Sequence, residues 1–232
     1  MNKLNISLCL AVVALAAAVA PATASAAALL RETPSTDIAV GTKVTFTGDQ
    51  TAVFTAGLTT VECNENWMTG SVVKNNATEW ETTIETLRFA SNLTMNETRC
   101  KSSGFPTFGA TLTTVPALTN GELSTSHWCI KNVKGSDKFE LIGNDCGQAN
   151  GTFTVIFEGT SMKCIYSLAG NISGSFTTDS HPATFEVTGK PAFGLEAGSG
   201  MMCPAKAEVT TLKYELFTDT KNEEPLFLTA KP

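Results

Sequence analysis

Gly151-Thr-Phe-Thr-Val-Ile-Phe-Glu158, a turn at Gly159-Thr160, and then Ser161-Met-Lys-Cys-Ile-Tyr-Ser-Leu168 decide the fold class. The first run places Phe153, Val155 and Phe157 on one face, and the second places Met162, Cys164, Tyr166 and Leu168 on one face. Successive side chains of an extended chain point to opposite sides, so period-two alternation marks half-buried strands. The two runs read as a hairpin. The segment then passes Ala169-Gly170-Asn171 and closes at Cys203-Pro204.

The same texture extends outward from this hairpin. From Asp37 onward, Thr, Val and Phe alternate with Gly, Asn and Ser. Before the hairpin, strands are expected at Lys43–Thr47, Ala52–Ala56, Thr59–Cys63, Gly70–Lys74, Trp80–Phe89, Leu93–Arg99, Ala110–Val115, Leu123–Lys131 and Lys138–Ile142. After it they are expected at Ile172–Thr177, Thr184–Thr188, Ala192–Leu195, Lys206–Phe217 and Leu226–Thr229. In the last long strand Leu212, Tyr214 and Leu216 are expected to face inward. Turn signals separate these runs, with Asn120-Gly121 and Asn150-Gly151 as type I′ hairpin candidates. Many short strands between regular turns indicate an all-β fold. The expectation is an antiparallel two-sheet β-sandwich, Ig-like or jelly-roll-like, formed by residues 27–232 as a single domain.

Thr78–Leu87 also carries a helical signal. Thr78-Glu-Trp-Glu81 resembles a capping box, and Trp80, Ile84 and Leu87 lie at helical spacing. Against helix stand Thr82, Thr83, Ile84 and Thr86, whose β-branched side chains lose χ1 freedom there. A strand must explain why its apolar set moves from Trp80 and Ile84 to Leu87 and Phe89. One extra residue near Glu85, a β-bulge, does so.

The N-terminus reads as a secretory signal peptide, residues 1–26. Lys3 precedes an apolar run from Leu8 to Ala20, and Ala24-Ser25-Ala26 fits a small-residue cleavage site. No later run is long and apolar enough to span a bilayer as a helix. Seven cysteines, less Cys9 of the signal segment, leave Cys63, Cys100, Cys129, Cys146, Cys164 and Cys203. An even set in an exported chain indicates disulfides in an oxidising compartment. Six cysteines allow about 15 connectivities, and spacing does not choose among them. Sequential pairing, 63–100, 129–146 and 164–203, is preferred because sequential strands usually pack together.

The chain carries a net charge of −6, or −7 without Lys3, and has no basic run. That argues against a nucleic-acid partner.

The motifs Val61-Glu-Cys63, Thr69-Gly-Ser-Val72, Leu87-Arg-Phe89, Lys163-Cys-Ile-Tyr166, Gly174, Met202-Cys-Pro-Ala205, Tyr214 and Pro225-Leu226 together resemble a loose family of uncharacterised secreted proteins common in actinobacteria. Those proteins are Thr- and Gly-rich, short-stranded and stapled by cysteines. The resemblance implies a bacterial exported β protein and carries over no catalytic or ligand residue.

Candidate chemistry is sparse. His127 and His181 lie in no nucleophile motif, and no G-x-S-x-G elbow occurs. Glu79, Glu81, Glu85, Glu140, Glu158 and Glu186 lie on or beside strands. Two of them across a concave face would make a glycosidase pair, but alternation with apolar residues marks solvent-facing positions. Trp67, Trp80 and Trp128 could present apolar rings to a sugar. Trp128, beside Cys129, reads as core, which leaves Trp67 as the candidate binding aromatic. Asn144-Asp145 and Asp179 offer oxygen ligands without calcium-loop spacing, and there is no C-x-x-C. No cofactor or metal ligand set is read. Glycosylation sequons occur at Asn76, Asn92, Asn96, Asn150 and Asn171. These observations point to a secreted or cell-envelope protein that is non-catalytic and binds an extracellular protein or glycan, or serves a structural role. The alternatives are a small polysaccharide hydrolase using paired glutamates and a protease inhibitor presenting the Asp145–Asn150 loop.

Overall fold

The computed structural model describes residues 29–33, 36–90, 100–103, 111–115, 128–148, 151–158, 163–218 and 224–229. All regular structure among them is β, and every strand pairing is antiparallel. Residues 1–26, read above as a signal peptide, together with Leu93–Arg99, Asn120-Gly121, His127 and Met162, lie outside the described residues.

Eight strands close a barrel. In order around it they are β10 (Trp128–Asn132), β11 (Lys138–Ile142), β14 (Asn171–Phe176), β15 (Thr184–Val187), β18 (Lys213–Thr218), β3 (Lys43–Gly48), β6 (Glu65–Asn75) and β7 (Trp80–Ala90). Eight more form an open sheet: β9 (Thr111–Val115), β12 (Thr152–Glu158), β13 (Lys163–Ala169), β16 (Ala192–Leu195), β17 (Lys206–Thr211), β4 (Ala52–Ala56), β5 (Thr59–Cys63) and β8 (Lys101–Ser103).

The two orders correspond strand for strand. Each barrel strand has its chain neighbour in the matching place of the open sheet: β11 leads to β12, β13 to β14, β15 to β16, β17 to β18, β3 to β4 and β5 to β6. The pairing register carries across the breaks, as Gly174↔Val187 in the barrel and Tyr166↔Leu195 in the sheet show. The molecule is therefore one meander of eight long, interrupted strands. One half is zipped shut by the β10–β7 ladder, from Trp128↔Ile84 to Lys131↔Glu81. In the other half β8 and β9 are the two edges.

This architecture stands in place of the expected Ig-like or jelly-roll-like sandwich. Nearest-neighbour connections replace Greek-key crossings, and local twist explains the closure. Thr69 pairs with Thr86 and Gly70 with Ile84, so Glu85 bulges out of β7. A second irregularity leaves Val73 of β6 without an opposite residue. Bulges increase coiling, which a closing sheet requires. The Glu85 bulge also keeps Trp80, Thr82, Ile84, Leu87 and Phe89 all buried on one face.

Three disulfides staple the sheets: Cys63–Cys100, Cys129–Cys146 and Cys164–Cys203, with Cα–Cα distances of 4.7, 4.9 and 5.6 Å. In the opening hairpin, β12 and β13 pair from Thr152↔Ala169 to Glu158↔Lys163. Phe153, Val155, Phe157, Cys164 and Tyr166 are buried, as their alternation requires.

Two local expectations need correction. Gly151 joins no tight hairpin, because β11 pairs with β10 and β14 and β12 with β9 and β13. Instead it closes the base of an excursion that begins at Gly143. A Cβ on Gly151 would overlap the Gly143 carbonyl, so only glycine permits this approach. The long strand Lys206–Phe217 is also two strands. The register shifts between Val209 and Thr211, so Ala207 and Val209 face inward before the break and Tyr214 and Leu216 after it. Leu212, at the break, is only partly buried.

Aromatic rings fill the lumen at two levels. In the closed half Phe46, Trp80, Phe139, Phe176 and Phe185 meet around Phe185 at 5.4–5.9 Å, with Phe46 and Trp80 6.4 Å apart. Gly174 makes room for the Phe139 ring. Between the halves, Phe54 and Phe153 of the open sheet meet barrel residues, Phe54 touching Phe89 as well as Phe157 of its own sheet and Phe153 meeting Trp128 at 4.8 Å. Edge-on contacts of this kind add to the area each ring removes from water.

Candidate functional site

The lumen is not an open calyx. An apolar void of about 50 Å³ lies within it, lined from all eight long strands by residues that include Phe54, Met68, Leu87, Trp128, Phe139, Ile172, Phe185 and Val209. Tyr214 and Trp128 belong to that lining, and their hydroxyl and indole N–H have no hydrogen-bond partner. Burial pushes the Tyr214 phenol well above its ordinary value and the Tyr166 phenol up to about 12. Charged forms are disfavoured away from water, so neither phenol is tuned to act as a base near neutrality.

A larger cavity, about 300 Å³, opens at the closed end. A three-stranded sheet caps this end: β1 (Leu30–Thr33) between β2 (Thr36–Asp37) and β19 (Phe227–Leu228). Leu30, Leu226 and Leu228 are buried beneath it. Asn75, at the end of β6, holds the cap. Its amide donates to the Leu30 and Ile38 carbonyls at 2.8 Å, and its oxygen accepts the Leu30 N–H at 2.9 Å.

The cavity lies between this cap and the turns of the barrel. Leu29, Phe176 and Leu228 give it an apolar floor, and all three are buried. Ala77 and Thr78 come from the β6–β7 turn, Asn132 to Asp137 from the β10–β11 turn, and Thr178 from the segment after β14.

Side-chain hydrogen bonds set the turn positions. The Asn76 oxygen accepts the N–H groups of Thr78 and Glu79, both at 2.9 Å. The Asn132 oxygen accepts the Trp80 N–H at 2.7 Å, and its amide donates to the Thr78 carbonyl at 3.1 Å. The Ser136 N–H and hydroxyl both donate to the Val133 carbonyl. Lys134 and Asp137 project from this braced turn and are exposed. Small-ligand sites commonly join an apolar floor to a few polar groups at a barrel mouth.

The residues singled out from sequence lie elsewhere. Trp67 is half-buried on the outer side of β6, with the Arg88 guanidinium 5.7 Å from its ring. Trp128 is core, as its neighbouring cysteine suggests. His181 is exposed, its Nε2 2.8 Å from the Pro225 carbonyl.

Five of the six glutamates singled out from sequence face lysines through their side chains or across a ladder. Glu79 and Glu81 share Lys74 at 2.9 and 3.9 Å, Glu85 bonds Lys43 and Ser71, and Glu140 lies 3.6 Å from Lys131. Glu186 sits across from Lys213 in the β15–β18 ladder. Lys74 holds the Glu79 carboxyl below the usual carboxylate range, chiefly by its hydrogen bond. A general acid needs the opposite displacement. Glu158 pairs with Lys163 through the backbone. Glu79, Glu81, Glu85, Glu140 and Glu186 are not among the described residues that line either cavity.

Asn144 accepts the Asp145 N–H, and the Asp179 N–H donates to the Leu228 carbonyl. Among the described residues no cluster of His, Cys, Asp and Glu could hold a metal ion, and no helix is long and apolar enough to cross a membrane.

Sequence reasoning missed the closed-end cavity. Its wall joins five short segments from Leu29 to Thr229, and the turn residues in them read only as turns. Comparison with protein-family models, curated proteins and solved structures finds no match.

Proposed function

We propose that this protein is an exported, non-catalytic binding module. The plugged barrel is its rigid scaffold, and the closed-end cavity is its ligand site. The observation that carries this reading is the contrast between a lumen void of about 50 Å³ and an apolar-floored pocket of about 300 Å³ framed by braced turns. Three disulfides support export, because such bonds persist in oxidising compartments. Lysines beside or opposite Glu79, Glu81, Glu85, Glu140 and Glu186 favour binding over hydrolysis. The test is ligand-observed NMR of the oxidised protein against a fragment library. Hits that disappear in Thr178→Trp, which fills the pocket, support the reading. A library with no hits, or hits indifferent to that substitution, overturns it.

One observation favours a second reading, the protease inhibitor. The excursion from Gly143 to Gly151 is pinched at its base and tied by Cys146 to Cys129 of β10. A loop tied at its base and by a disulfide loses less entropy on docking than a free one. Inhibition of any protease in a broad panel, abolished by cutting this loop, would favour it over the pocket.

A further inference from the structure

We propose that the closed-end pocket takes a small zwitterion bearing an apolar group, the chemistry of a free aliphatic or aromatic α-amino acid. This inference rests on the reading of that pocket as the ligand site.

The floor specifies the apolar part. Leu29, Phe176 and Leu228 are 7%, 8% and 1% exposed and present only carbon from their side chains. The rim specifies the charges. Lys134 and Asp137 stand three residues apart on one turn, and both line the pocket. Neither makes an ion pair among the described residues, whereas Lys43, Lys74, Lys131 and Lys213 of the barrel strands all do. Glu79 feels the Lys134 charge but is already bonded to Lys74 at 2.9 Å.

Most of the other rim side chains are engaged, Ser136 with the Val133 carbonyl and Thr229 with the Leu29 carbonyl among them. Both ends of the Asn132 carboxamide are used, and the Thr78 hydroxyl donates to Asn76. One cation and one anion above an apolar floor therefore remain to meet a ligand.

Opposite charges select against ligands with only one. A fatty acid could reach Lys134 but would place its carboxylate near Asp137, in a protein already net negative. An alkylamine meets the reverse conflict at Lys134. A ligand carrying both charges satisfies both groups. Size agrees: a cavity of about 300 Å³ is at the low end for small-molecule sites, suited to one compact molecule rather than a long acyl chain or an oligosaccharide.

The experiment is isothermal titration of the oxidised protein with L-phenylalanine and L-leucine, and with hexanoate and hexylamine as single-charge analogues. The amino acids are expected to bind at least about tenfold tighter than either analogue, a difference of about 1.4 kcal/mol. Lys134→Ala and Asp137→Asn should each remove most of that advantage. Both lie on an exposed turn, and unchanged circular dichroism would establish that the fold persists. Amino acids that bind no tighter than the analogues, or that bind equally well to both variants, overturn the proposal. If neutral fragments bind and are lost in Thr178→Trp while amino acids do not bind, the ligand class is wrong and the site stands. If nothing binds there, both fall.

Discussion

The closed and open halves of this molecule are built from the same eight long strands, yet they are held by different means. In the closed half the β10–β7 ladder completes the ring, five aromatic side chains plug it, and the β1–β2–β19 sheet caps its end. In the open half, among the described residues, no ladder joins β8 to β9. Two disulfides lie there instead. Cys63–Cys100 ties the end of β5 to the residue before β8, and Cys164–Cys203 ties β13 to the loop before β17. A barrel abolishes its edges by closing, whereas an open sheet must protect them. Here covalent bonds brace the half that hydrogen bonds do not close.

The largest test of this contrast is core truncation. Trp80, fully buried against Phe46 and Phe185, anchors the closed half, and Phe54, against Phe89 and Phe157, anchors the open half. Trp80→Ala and Phe54→Ala should each cost about 3–5 kcal/mol. Because the buried residues of both halves form one cluster, calorimetry should show one transition lowered by either substitution. A separate low-temperature transition in Phe54→Ala alone would show that the halves melt independently.

Disulfide removal comes next. Cys164–Cys203 encloses a separation of 39 residues and Cys129–Cys146 one of 17. In the chain-entropy model these are worth about 4 and about 3 kcal/mol. Denaturant melts of the two double alanine variants should therefore differ by somewhat under 1 kcal/mol, with the 164–203 variant the weaker. Hydrogen exchange should rise first in β13, β16 and β17. Equal losses would refute the ranking, and faster exchange in the closed half would refute the division of labour.

The smallest effect concerns the cap. Hydrogen bonding to Glu224, then burial, raises the Glu32 carboxyl above its ordinary value. The folded state thus holds this proton more tightly than the unfolded chain does. Its stabilising contribution is complete below the ordinary carboxylate pKa of about 4 and is lost as pH rises through the raised value. Amide exchange in β1 and β19 should quicken over that interval, and Glu32→Gln should flatten the dependence. An identical profile in the variant would exclude Glu32 as the cause.

Much of the strand pattern was legible in the residues. Alternation placed Phe153, Val155 and Phe157 on the buried face, and a shift of parity marked the Glu85 bulge. Sequential cysteine pairing followed from the tendency of neighbouring strands to pack. Legibility failed where neighbours in space are distant in sequence. Leu212, Tyr214 and Leu216 face inward as read, Leu212 only partly buried, but the register break after Val209 puts Ala207 and Val209 on the opposite parity. Gly151 carried a hairpin signal because its dipeptide favours tight turns, while its actual role is set by contact with Gly143.

By itself, then, the amino-acid sequence determined the class of structure and the buried face of most strands, and it favoured the cysteine pairing that the structure shows. These follow from backbone geometry and short-range chain connectivity. Only the tertiary structure decided that the strands close into a barrel, that aromatic rings fill it, and that a pocket lies beneath the cap. Closure depends on Trp128 meeting Ile84 across 44 residues, and the pocket on Leu29 and Leu228 meeting the β10–β11 turn. Such juxtapositions arise from accumulated twist and packing, for which no local pattern of residues carries a mark.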